Sequence, residues 1–107
     1  MFHMVALSLI KEIHWRLDSR GEMYDLHYLR NKQKQEVDFL ITKNRKPHLM
    51  IEVKETDSQP SHQFEAFAKY WSHVPKLQLV RQMDKGFKSK AGVTVTPAAE
   101  WLAKMDF

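Results

Sequence analysis

Apolar residues recur at helical spacing from the first turn of the chain. Phe2, Val5, Ala6, Leu9, Ile10, Ile13 and Leu17 share one side of residues 2–17, with Lys11, Glu12 and Arg16 on the other. This spacing predicts an amphipathic helix, and Ser19-Arg20-Gly21 supplies its stop. The helix begins almost at Met1 with no capping segment, so we expect a piece or stand-alone version of a larger protein. From Tyr24 to Glu55 the pattern shifts to short β-branched and aromatic runs. Polar turns at Asn31 to Gln35 and Lys43 to Pro47 separate them, which predicts a three-stranded meander. Helical spacing returns in Phe64, Phe67, Ala68 and Trp71, between Pro60-Ser61 and Pro75. Leu77-Gln78-Leu79-Val80 follows as a strand parallel to the third, because a helical crossover joins them. Val93 to Thr96 reads as a short edge strand, and Pro97 opens a last helix carrying Trp101, Leu102 and Met105. The expected order is αβββαββα around a mixed sheet, an α/β (α+β) fold in one domain over residues 1–107.

Register adds chemistry to this outline. If the second hairpin turns about Arg45, opposed residues have numbers summing to 90; Asp38 then faces Glu52, and Glu36 faces Lys54. Alternation places Lys54 on the same face as Glu52, while Val37, Phe39, Ile41, Leu49, Ile51 and Val53 fill the opposite face. Two opposed carboxylates repel unless a cation neutralises them or one takes up a proton. Mg²⁺, or Mn²⁺ in its place, prefers oxygen ligands and keeps several waters, so it suits such a pair with a substrate phosphate beside it. A solvated polar face with cross-strand ion pairs would use the same residue types. Asp38 and Glu52, however, sit inside strongly apolar strands, bracketed by Val37 and Phe39 and by Ile51 and Val53, where acids are seldom placed.

Charge and composition narrow the partners. Seventeen Lys and Arg against 13 Asp and Glu give +4, which leans toward a polyanion, and the Lys32/Lys34, Lys43/Arg45/Lys46 and Lys85/Lys88/Lys90 groups are placed to flank a phosphate backbone. The absence of cysteine excludes disulfides, thiolate nucleophiles and Cys-ligated zinc, and fits a cytoplasmic setting. No apolar run is long enough to cross a bilayer, so no membrane partner is expected. His14, His27, His48, His62 and His73 lack the paired spacing of a zinc site, and no Ser/His/Asp arrangement can be assigned. Trp71 and Trp101 lie on apolar helix faces and are expected in the core.

Glu36-Val37-Asp38-Phe39 and Ile51-Glu52-Val53-Lys54 resemble the motifs of the PD-(D/E)XK phosphodiesterase superfamily, an Asp followed after a variable spacer by Glu-x-Lys. With His27-Tyr28-Leu29-Arg30 ahead of them, they look like the C-terminal domain of bacterial and archaeal AAA-type ATPases known as domain of unknown function 4143. The resemblance covers nearly the whole chain and implies a restriction-endonuclease-like αβββαβ core with a mixed central sheet flanked by helices. It makes Asp38 and Glu52 metal ligands and Lys54 the group that orients or activates the attacking water, with Glu36 and Gln63 as accessory candidates. Many relatives carry an acid in the first helix, where this chain reads Met1-Phe2-His3-Met4, and Glu12 lies further along. No Walker-type glycine loop is present, so an ATPase would be a partner. The leading expectation is a Mg²⁺-dependent nuclease-like domain acting on DNA. The alternatives are a catalytically inactive nuclease-fold module that binds nucleic acid or protein alongside an AAA-type ATPase, and a homodimer formed through the first helix.

Overall fold

The computed structural model describes residues 1–56 and 59–107. Helix α1 (Phe2–Arg20) leads into strands β1 (Tyr24–Arg30), β2 (Glu36–Lys43) and β3 (Lys46–Lys54), then α2 (Gln63–Ala68), β4 (Lys76–Val80), β5 (Phe87–Lys88), β6 (Val93–Pro97) and α3 (Ala98–Lys104). Gly21 ends α1 in the left-handed conformation (φ 68°), and the Glu22 N–H reaches back to the Arg16 carbonyl at 3.2 Å, so the predicted stop operates as a glycine cap. The six strands form one mixed sheet in the order β1-β2-β3-β4-β6-β5. The first three are antiparallel, whereas β4 lies parallel to both β3 and β6.

The expected edge strand at Val93 to Thr96 is instead internal. Phe87 and Lys88 pair with Val95 and Thr94, so β6 lies between β4 and the two-residue β5. A β-carbon on Gly86 would meet the Val95 carbonyl oxygen at 2.7 Å, and glycine is what admits this close approach. The helix expected through Trp71 is also shorter, ending at Ala68 and continuing as turns to Val74.

Both faces of the sheet are covered. Val5, Leu9 and Ile13 of α1, with Ala98 and Trp101 of α3, pack against Phe39, Ile41, Leu49, Ile51, Leu77 and Leu79. On the other face Phe64 and Phe67 of α2 pack with Leu40, Met50, Val80, Val93 and Val95, and Trp71 is half-buried against them. Helical spacing located α1, but its buried stripe continues to Arg16, and Ile10 and Leu17 are left partly exposed at 38% and 49%. Residues 105–107 fold back over the helix and explain the exchange. The Arg16 guanidinium donates to the Phe107 and Met105 carbonyls at 2.6 and 2.7 Å, pairs with Glu12 at 2.7 Å and lies 3.8 Å from the centre of the Phe107 ring. No helix among the described residues is long and apolar enough to cross a membrane.

Candidate functional site

The β2–β3 hairpin sets the site. Its turn residues Asn44 and Arg45 both have positive φ (52° and 68°), the requirement of a two-residue turn matched to strand twist. Lys43 pairs with Lys46 and Thr42 with Pro47; the register then shifts before Ile41, which pairs with Leu49. The extra residue at this irregularity, His48, brings the pairing from Ile41/Leu49 to Phe39/Ile51 into the expected sum of 90.

Regular pairing ends at Phe39/Ile51, so Asp38 and Glu52 are not ladder partners. The Asp38 N–H donates to Glu52 Oε1 and the Val53 N–H donates to Asp38 Oδ2, each at 2.8 Å. The carboxylates thus take up the backbone donors released where the two strands part, and each reaches across to the other strand. These bonds engage one oxygen of each acid. Glu52 Oε2 faces Lys54 Nζ at 3.8 Å, and the Ser61 hydroxyl also hydrogen-bonds to Glu52.

Electrostatics follow from the burial of like charges. Glu52 is 4% exposed; desolvation and then the Asp38 charge push its carboxyl from 4.5 up to about 6, against the pull of the Asp38 N–H, Lys54 and Ser61. Burial also raises Asp38 above its ordinary value; the Val53 N–H and Lys54 oppose the rise, and Glu36 adds to it. Two desolvated oxygen donors that resist ionising together, with a half-buried ammonium alongside, fit a hard divalent cation that retains most of its waters. Among the described residues, no group of three or more His, Cys, Asp and Glu side chains is placed to hold a metal. Glu12, bound to Arg16, does not serve as a third acid.

The other candidates lie around this pair in different roles. Glu36 does not face Lys54; it pairs with Arg30 in the β1 register, and their side chains approach to 3.4 Å. Gln63 supports the backbone by accepting the Glu36 N–H through Oε1 at 2.9 Å. Val37 packs with Leu40 and Met50 on the α2 side, not with Phe39, because the β1–β2 register shifts between His27 and Leu29 and breaks the alternation. Gln78 is a supporting residue that motif reading passed over. It is fully buried beside Glu52 in the β3–β4 register, accepts the Ser61 N–H at 2.8 Å and donates to the Gln59 carbonyl at 2.7 Å. It thereby anchors the segment that brings Ser61 to Glu52. A lone amide in the apolar run Leu77-Gln78-Leu79-Val80 was the available signal.

No curated protein and no solved structure matches the chain. Residues 3–101 match the family model described as Domain of unknown function (DUF4143), a span that takes in α1, all six strands and the start of α3, and the chain belongs to that family.

Proposed function

We propose that the chain is a divalent-metal-dependent nuclease-like domain acting on DNA phosphodiesters, with its site at Asp38, Glu52 and Lys54 in the manner of the PD-(D/E)XK superfamily. The observation that carries this reading is the pair of desolvated carboxylates held across the parted ends of β2 and β3, with the Lys54 ammonium 3.8 Å from one of them. Asp38 and Glu52 would hold Mg²⁺ or Mn²⁺, which when bound neutralises charge on the phosphate and favours deprotonation of the attacking water. Lys54 donates a hydrogen bond that orients this water and offsets the negative charge that builds on the phosphate oxygens. The water oxygen gives up a proton to solvent as it bonds to phosphorus, and the ester oxygen leaves with the electron pair of the bond that breaks and takes up a proton from solvent. Lys32 and Lys34 lie in the β1–β2 turn, at the Asp38 end of β2, where they are placed to meet flanking phosphates, whereas Lys43, Arg45 and Lys46 lie at the opposite end of the hairpin. Incubation of the protein with plasmid and oligonucleotide DNA in millimolar MgCl₂ or MnCl₂ tests the proposal. Cleavage that Asp38→Asn, Glu52→Gln and Lys54→Ala each abolish is expected; no cleavage of any of these substrates overturns it.

One observation favours a second reading, a nuclease-fold module that binds nucleic acid or protein beside an AAA-type ATPase without turnover. Among the described residues no third His, Cys, Asp or Glu side chain joins the pair to hold a metal. Calorimetric titration separates the two. Mg²⁺ or Mn²⁺ binding that Glu52→Gln removes supports the nuclease, and no heat at millimolar metal supports the binding module.

A further inference from the structure

Tyr28 lies on β1, an edge strand of the sheet, and is 73% exposed. Its ring is nonetheless supported from beneath. It stacks on Phe2 with centroids 6.2 Å apart and planes 12° from parallel, and Phe2 stacks at 4.8 Å on Phe39, which is fully buried. The Tyr28 ring also lies 6.0 Å from the Phe39 ring, tilted by 33°, so Tyr28, Phe2 and Phe39 form a compact three-ring cluster rooted in the core, with Tyr28 as its solvent-exposed member. Backed in this way, the ring loses little freedom when a flat group settles on it.

Tyr28 also lines a cleft of about 350 Å³ whose walls include Phe2, Arg30, Glu36 and Asp38. One recess thus holds both Tyr28, from the aromatic cluster, and Asp38, a residue of the candidate metal site. Arg30, its cation, is more than half exposed and is held 3.4 Å from Glu36, an exposed ion pair that a phosphate can displace.

We propose that this cleft is a nucleotide subsite for single-stranded DNA, in which Tyr28 stacks an unpaired base and Arg30 takes a phosphate neighbouring the one held at Asp38 and Glu52. The proposal rests on the nuclease reading and extends it to the form of the substrate. A base inside a duplex is covered on both faces, whereas an unpaired base offers a face to an aromatic ring whatever its identity. The subsite therefore selects strand state and leaves sequence unread.

Fluorescence anisotropy with a short fluorescein-labelled oligothymidylate in millimolar CaCl₂ tests this apart from turnover. With the stacked base unsupported, Tyr28→Ala is expected to weaken binding about tenfold or more, while Tyr28→Phe retains it. Replacing each thymidine in turn by an abasic residue should reproduce that loss at one position in the unmodified protein and cause no further loss there in Tyr28→Ala. Unchanged binding by Tyr28→Ala, an abasic penalty equal in both proteins, tighter binding of the matching duplex than of the single strand, or no binding of the oligothymidylate each overturn the subsite. The cycle reads stacking whether or not the strand is cut, so a stacking cycle without cleavage overturns the nuclease reading alone, and cleavage without the cycle overturns the subsite alone.

Discussion

Glu52→Gln is expected to stabilise the metal-free protein at neutral pH, although it removes a proposed ligand. Glu52 rises from 4.5 to about 6 on folding. Between those values the native state binds more protons than the unfolded chain, so this group's contribution to stability falls as pH climbs from 4.5 to about 6 and is level above that. The difference corresponds to about 2 kcal/mol of stability lost when the carboxylate is ionised. Glutamine keeps an oxygen to accept the Asp38 N–H and removes the buried charge, which also relieves the coupled titration of Asp38. Loss of the Lys54 contact subtracts little, because that ammonium is partly solvated. A net gain of about 1–2 kcal/mol follows at about pH 7.5, which raises the melting temperature by about 5 °C or more. Thermal and urea denaturation followed by circular dichroism at about pH 4.5 and about pH 7.5 measure it, with the gain shrinking at the lower pH. Added MgCl₂ should stabilise the unsubstituted protein and leave Glu52→Gln unmoved, since only a native-state ligand shifts unfolding. A variant less stable at neutral pH, or a gain independent of pH, would refute the assignment of buried like charge at this position.

Other expectations concern the supports of the fold and site. Asp38→Ala should lose about 1–3 kcal/mol more stability than Asp38→Asn, because only alanine leaves the Val53 N–H without its acceptor; equal urea midpoints would contradict the bridge between strands. Arg16→Met strands two carbonyls of the C-terminal segment and the Glu12 carboxylate, and a loss of about 3 kcal/mol is expected in urea unfolding, with faster proteolysis near Phe107. Arg45→Gly places the residue best suited to positive φ in the hairpin turn and should stabilise by about 0.5–1 kcal/mol, read as a higher urea midpoint at an unchanged slope. Gln78→Leu releases the Ser61 segment and should weaken calorimetric Mg²⁺ binding about tenfold or more, the scale of loss when a ligand's supporting contacts are removed.

The parts of the fold that could be read from the sequence are those fixed by neighbours in the chain. Periods of 3.6 and 2 located α1 and the β2–β3 hairpin, and Gly21 marked the end of the helix. The register sum of 90 held at Phe39/Ile51 although the turn is not centred on Arg45, because the tight turn at Asn44-Arg45 and the irregularity at His48 compensate for each other. What escaped depends on distant contacts. Arg16 reads as a surface cation until residues 105–107 bring carbonyls to it. β5 is two exposed residues long and carries no periodic signal. Val37 changes sides because of a pairing irregularity with β1, which alternation along β2 alone does not reveal. The second apolar face was hidden for a related reason, since Leu40 and Met50 share their strands with Asp38 and Glu52 and made that face look polar.

The acids and the parting of the strands account for each other. A regular ladder supplies its own backbone acceptors and has no use for buried carboxylates, which desolvation penalises. Where pairing stops, backbone N–H groups need acceptors, and a charged oxygen serves better than a neutral one. Asp38 and Glu52 meet that need crosswise, each on the opposite strand, so the bonds that close the gap also fix both carboxylates in place. Each still carries a second oxygen; that of Glu52 faces Lys54, and Ser61, held by Gln78, also bonds to Glu52 and confines it. A structural role alone would be met by asparagine and glutamine at these positions, without desolvated like charge. Two ionisable acids in their place raise the energy of the metal-free native state in return for a pair of oriented anionic donors, and this cost is the physical ground for the cation proposed as their partner.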